Sequence, residues 1–176
     1  MADKSTHYSV IRDHLNALIL AGKIITIHTR NRPDDMHQAI NGMSFPGRSI
    51  PRIDVYYPLN GGDTREDVIA HECAHVCYAD MTLDKINPEI EAIKIIQDLE
   101  PELLDLYAGR NDIGEECVVR LADFRRQGVR LPPMSRRLSA IVRTLSKPKP
   151  VRVGMWGLML IAGMSAVAVP LSGVLS

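Results

Sequence analysis

The run His71-Glu72-Cys73-Ala74-His75 constrains this chain more than any other stretch. Two imidazoles four positions apart can meet at one metal ion only if the backbone between them is helical. On a helix, positions i and i+4 lie one above the other on a single face, so both rings can reach one Zn²⁺. Glu72 then stands about 100° round from His71, near enough to touch a water at the metal without ligating it. The flanks agree with a helix. Asp63 or Thr64, followed three positions later by Glu66 or Asp67, is a capping-box signature, and the apolar run Val68-Ile69-Ala70 precedes the motif. A helix over about 64–80 is predicted.

A hydrolytic zinc site needs a third protein ligand and one open position. His75 is the last histidine in the chain, and His7, His14, His28 and His37 lie upstream. His14 shares the apolar face of its own segment and reads as a core residue. A carboxylate from a later helix is therefore expected. The segment GEECVVRLADFRRQG, predicted helical from 113 to about 127, places Cys117, Val118, Leu121, Ala122 and Phe124 on its apolar face. Glu115 lies at the margin of that face, whereas Glu116 and Asp123 point largely away from it. Glu115 is the expected ligand. Glu116, Glu89, Glu91 and Glu102 are its alternatives, and a capping box with Asp112 is the other use for Glu115. Cys73 and Cys77 read as small buried apolar residues. Tyr56, Tyr57, Tyr78 and Tyr107 could each offer a hydroxyl, and the sequence selects none of them.

Around these motifs the chain alternates between patterns. Residues 6–21 place Val10, Ile11, His14, Leu15, Leu18 and Ile19 at helical spacing, ending at Gly22. KIITIHT (23–29) and RIDVYYP (52–58) alternate as strands. Between them the chain is polar and broken by Pro33, Gly42, Pro46 and Gly47, with one short helical turn near Met36–Ile40. Asn87-Pro88 opens a further helix, Pro101 breaks or restarts it, and Gly109 ends it. The order predicts an α+β fold: a small antiparallel sheet packed on a helical bundle that carries the histidine motif. The strand at 52–58 is expected to offer a free edge.

The formal charge is zero, with 21 basic and 21 acidic side chains, but it is unevenly spread. Residues 1–123 carry 12 basic and 21 acidic groups, a net of −9. Residues 124–152 carry nine basic groups and no acid, and residues 153–176 carry no charge. Three organisational units follow: a body at 1–133, a basic juxtamembrane neck at 134–152, and an apolar tail at 153–176. If helical, the 24 tail residues would span about 36 Å at about 1.5 Å each, enough to cross a hydrocarbon core of about 30 Å. Trp156 would sit at the interface. A basic neck beside such a tail predicts a single-pass membrane anchor with the body on the cytoplasmic side. No signal peptide is expected. Two proline interruptions and a single aromatic (Phe124) argue against nucleic-acid binding by the basic segment. Three cysteines are too few for a disulfide framework.

The HExxH helix preceded by strands, and followed about 40 residues later by a helix with a Glu-x-x-small-x-x-apolar-Ala pattern, resembles the ImmA/IrrE family of zinc metallopeptidases. The resemblance covers about residues 50–133, with His71, Glu72 and His75 in the first motif and Glu115, Val118, Leu121 and Ala122 in the second. It departs at Val118-Val119, where that family usually has Ala-Asn. The resemblance implies a zinc-dependent peptidase acting on peptide or protein. In that reading His71, His75 and Glu115 hold the metal, and Glu72 is the general base. The alternative is a metal-stabilised, membrane-tethered binding or regulatory module without turnover.

Overall fold

The computed structural model describes residues 16–20, 22–147 and 151–153. Strand β1 (Asn16–Leu20) pairs antiparallel with β2 (Lys23–Asn31), Leu20 opposite Lys23. The connection is tight and passes through Gly22 at φ +79°, a conformation that costs glycine little. The helix expected over 6–21 is thus corrected where it can be compared, since 16–20 form a strand; residues 6–15 lie outside the described residues. Leu18 and Leu20 alternate into the core and are 1% and 4% exposed. A short apolar run fits helical and alternating spacing equally, and here the β-branched partner strand decides between them.

β3 (Gly42–Phe45) runs antiparallel to β4 (Arg52–Tyr57), and β4 runs parallel to β2. With β5 (Val151–Val153) the sheet order is β3-β4-β2-β1-β5. The fold is α+β, as expected, but the sheet is mixed rather than antiparallel. The chain leaves β2, forms β3 and returns beside β2 in the same direction. β3 lies in a segment expected to be irregular, because four residues between glycine and proline are too few to establish a period. Its presence makes β4 an interior strand, so the expected free edge at 52–58 belongs instead to β3.

Helix α1 (Arg65–Ala79) begins with a full capping box: the Asp67 N–H donates to Thr64 Oγ1 and the Thr64 N–H donates to the Asp67 carboxylate, both at 3.1 Å. It lies between two cores. Val68, Ile69, Cys73 and Val76 pack on Leu18, Ile25, Ile27, Ile53 and Val55 of the sheet. Ala74 and Tyr78 join the second core with α2 (Ile86–Leu99) and α4 (Ile113–Arg126). α2 opens two residues before the expected Asn87-Pro88 boundary, and Asp84 accepts from the Ile86 N–H there at 3.2 Å. Pro88 is tolerated there because first-turn N–H groups have no intrahelical partner. Pro101 restarts the chain as the short α3 (Pro101–Leu106), and α4 ends before Gly128 at φ +80°.

The fifth helix, α5 (Arg136–Leu145), falls in the segment expected to be a neck. Ser135 caps it, accepting from the Leu138 N–H at 3.2 Å. Leu138, Ile141, Val142 and Leu145 repeat at i, i+3, i+4 and i+7 and are buried in the helical core, while Arg136, Arg137 and Arg143 are exposed. The body therefore continues through Leu145 rather than closing at 133. Its basic charge is the outer face of an amphipathic helix. Among the described residues no helix is long and apolar enough to cross a membrane. The tail from Gly154 onward lies outside the described residues. Leu138→Ala is expected to lower unfolding free energy by about 2–5 kcal/mol, as read from chemical denaturation; a loss under about 0.5 kcal/mol would show that α5 is not part of the cooperative core.

Candidate metal centre

The histidines leave α1 on the side that meets α4. Their rings are 4.9 Å apart between centroids, and the two Nε2 atoms are 3.2 Å apart. Opposite them stands Glu116, 6% exposed, with Oε1 at 3.2 Å from His71 Nε2 and Oε2 at 3.2 Å from His75 Nε2. One ligand atom from each of His71, His75 and Glu116 falls within 4.8 Å of the others.

Each imidazole is held from behind by a second carboxylate. His71 Nδ1 lies 2.6 Å from Asp123 Oδ2, and His75 Nδ1 lies 2.7 Å from Glu115 Oε1. A carboxylate only accepts, so each Nδ1 carries a proton, and Nε2 is the atom that would ligate a metal once its own proton is shed. Asp123 is itself bonded by Arg126. Glu115 thus touches His75 from outside, and Glu116 occupies the converging position that the sequence pattern had given to Glu115.

The reason is the packing of α4. The helix is touched by α1, α2 and α5, so it buries more than one face. The side turned to α1 carries Glu116 and Asp123, seven residues and about two turns apart. That spacing of two acids on one row was the available signal. The alternative Asp112–Glu115 box is absent as well, since Asp112 makes no side-chain cap and accepts from Arg110 Nε at 2.9 Å.

The other candidates have structural partners elsewhere. Glu89 accepts from the Tyr78 hydroxyl at 2.8 Å, and Glu91 accepts from the Ser135 N–H at 2.7 Å. Glu102 is exposed on α3. Burial pushes the Cys73 thiol up to about 12 and the Cys77 thiol up to about 11, as suits packing rather than metal binding.

Glu72 is 6% exposed and lies in the same cavity of about 310 Å³ as His71, Glu116 and Tyr107. Burial raises its carboxyl pKa, and the neighbouring histidines offset part of that rise. The edge strand shapes its seat. A Cβ on Gly42 would come within 2.7 Å of Glu72 Oε1, so only glycine lets β3 approach this closely. Of the tyrosines, Tyr107 alone lines this cavity among the described residues.

The donor set fits a divalent cation. Two imidazoles are enclosed by Glu72, Glu115, Glu116 and Asp123, and the Arg126 guanidinium on Asp123 offsets only part of that negative charge. Burial opposes charging His71, but the Asp123 and Glu116 carboxylates outweigh it and raise the imidazole pKa well above its usual value. His75 shows the same balance and is raised to about 9 by its bonds to Glu115 and Glu116. Burial would raise Glu116, but the His71 charge and the histidine hydrogen bonds hold it well below the carboxylate range. No family profile, curated protein or solved structure matches this chain.

These shifts fix a pH dependence. Histidines raised in the folded state contribute stability that is complete below their unfolded value of about 6.5 and lost as pH rises through about 9. In chelator, the protein should lose stability between these limits, as read by denaturant midpoints. Zinc affinity should rise over the same window, because each imidazole must shed a proton to ligate. A metal-free stability that is flat over this window would contradict the histidine–carboxylate coupling. The ligand assignment has its own check in metal content. Glu116→Ala should lose stoichiometric zinc, whereas Glu115→Ala should keep it with affinity about 10–100-fold weaker. The reverse order would restore Glu115 as ligand.

Proposed function

We propose that this chain is a zinc-dependent metalloendopeptidase tethered to a membrane through the apolar tail that follows β5, residues 154–176 of the expected 153–176. The observation that carries the reading is the convergence of His71, His75 and Glu116 beside a buried Glu72, within one cavity. His71, His75 and Glu116 hold the zinc, and Asp123 and Glu115 fix the two imidazole rings. Bound there, zinc supplies Lewis acidity, lowering the pKa of a water towards about 7 and polarising a carbonyl. Glu72 takes a proton from the attacking water and delivers it to the leaving amine. Burial raises its carboxyl pKa, which favours its holding that proton.

The peptide lies extended along the free edge of β3, whose Gly42 borders Glu72. Main-chain hydrogen bonds to this edge would align it by strand addition. The resemblance to ImmA/IrrE peptidases belongs to the same proposal, with Glu116 in place of Glu115 as third ligand. Support for the tether comes from sequence: an uncharged apolar tail next to a basic segment. The body then faces the cytoplasm.

The experiment is metal analysis together with digestion of a peptide library by the parent chain and by Glu72→Gln. One zinc per chain in both is expected, with cleavage slower by about 10²–10⁴-fold in the variant. Equal cleavage by the two would overturn the assignment of Glu72. Zinc in both with cleavage by neither would favour the metal-stabilised module without turnover.

A further inference from the structure

The carboxylate behind His71 has both of its oxygens tied. Asp123 Oδ2 faces His71 Nδ1 at 2.6 Å, and Asp123 Oδ1 accepts from Arg126 Nη2. The aspartate side chain is 4% exposed, so water has little access to replace either partner. An aspartate turns about its last bond through a broad well unless its oxygens are held. Here the guanidinium takes one oxygen and leaves the other for the imidazole. A carboxylate this buried also needs a paired charge to remain there ionised, and Arg126 supplies one.

The last turn of α4 makes this contact locally. The turn stays regular to its end, with the Gln127 N–H donating to the Asp123 carbonyl at 2.9 Å. Arg126 therefore follows Asp123 at i+3, on the same helical face. Its charge lies in the final turn, where the helix dipole favours a cation. A second guanidinium is near but committed elsewhere. Arg120 spends Nε and Nη2 on Glu100 at 2.6 and 2.7 Å, and its Nη1 stays 4.0 Å from Asp123 Oδ2, too far for a hydrogen bond. Holding the aspartate falls to Arg126.

We propose that Arg126 is a positioning residue of the metal centre, fixing Asp123 and, through it, the ring of His71. This rests on reading His71, His75 and Glu116 as a zinc centre. Without the guanidinium, Asp123 loses both its counter-charge and the stop on its last torsion. The imidazole that leans on it is then free to turn, and His71 Nε2 is no longer aimed at the position it shares with His75 and Glu116. Outer partners of metal-ligating histidines typically affect metal affinity by about 10–100-fold.

The test uses the full chain with zinc alone as ligand. Zinc affinity is measured by competition with a chromogenic chelator, and the cobalt-substituted protein is examined by visible absorption. Arg126→Met, which keeps the apolar stem and removes the guanidinium, should bind zinc about tenfold more weakly and shift the cobalt bands. A loss of stability alone would not move those bands. Arg125→Met, at the exposed neighbouring position, should leave both readouts unchanged. Because Arg126 acts through Asp123, Arg126→Met added to Asp123→Asn should cost less than about twofold more. A further loss there as large as in the parent background would overturn the proposal. So would parent-like affinity and spectrum in Arg126→Met, with the zinc centre left intact. Absence of zinc binding by the parent chain would instead overturn the zinc reading itself, and this inference with it. Should Arg126→Met fail to fold, Arg126→Gln takes its place: weaker zinc binding with shifted bands supports the role of Arg126, and unchanged binding overturns it.

Discussion

The contact between α1 and α4 is held by charge as much as by apolar packing, and the rest of the structure is arranged to permit it. Across this contact two imidazoles meet Asp123, Glu115 and Glu116, at separations of 2.6 to 3.2 Å. Asp123 and Glu116 are 3% and 6% exposed. Buried charges of this kind are tolerated only when paired, and removing one partner typically costs about 3–5 kcal/mol. The two helices are far apart in sequence, so their relative rotation is set where these pairs close. Ala74 of α1 and Val118 and Ala122 of α4 are fully buried in the same helical core.

The sheet does the complementary work on the other side of α1. Val68, Ile69, Cys73 and Val76 fix that helix against β2 and β4, which points the motif histidines away from the sheet. Glu72, one position on, is left against the edge strand. Gly42 has no side chain there, and this absence is what lets β3 close over the carboxylate. Polar groups in the loops beyond are drawn into the same arrangement. Asn41 accepts from Arg32 and the Asn60 N–H and donates to Asp63 and the Asn60 carbonyl, which fixes the wall of the cavity above β3. A polar side chain so completely paired rigidifies its surroundings.

Features with a local physical origin were legible in the sequence. The Thr64–Asp67 box marks the start of α1 because a cap reads only its next three residues. Strands β2 and β4 declare themselves through β-branched alternation, Pro101 marks a restart, and Gly128 stops α4 because a left-handed residue ends a helix. Features that depend on non-local partners were misread. β1 had helical spacing, and pairing with β2 made it a strand. α5 read as a charged linker, although Leu138, Ile141, Val142 and Leu145 give it one apolar stripe, because its arginines dominate its composition.

The centre divides along the same line. By itself the sequence determined that His71, Glu72 and His75 share a helix, and with it their angular relation, since these depend only on backbone geometry within one turn. It also predicted a carboxylate from a later helix beside them, and Glu116 of α4 stands there. The tertiary structure alone decided that Glu116 faces the imidazoles, that Glu115 and Asp123 stand behind them, that Tyr107 joins the cavity, and that β3 rather than β4 is the edge. A helix buried on several sides has several apolar faces, and only the packing of α1, α2 and α5 around α4 determines which neighbour each face meets.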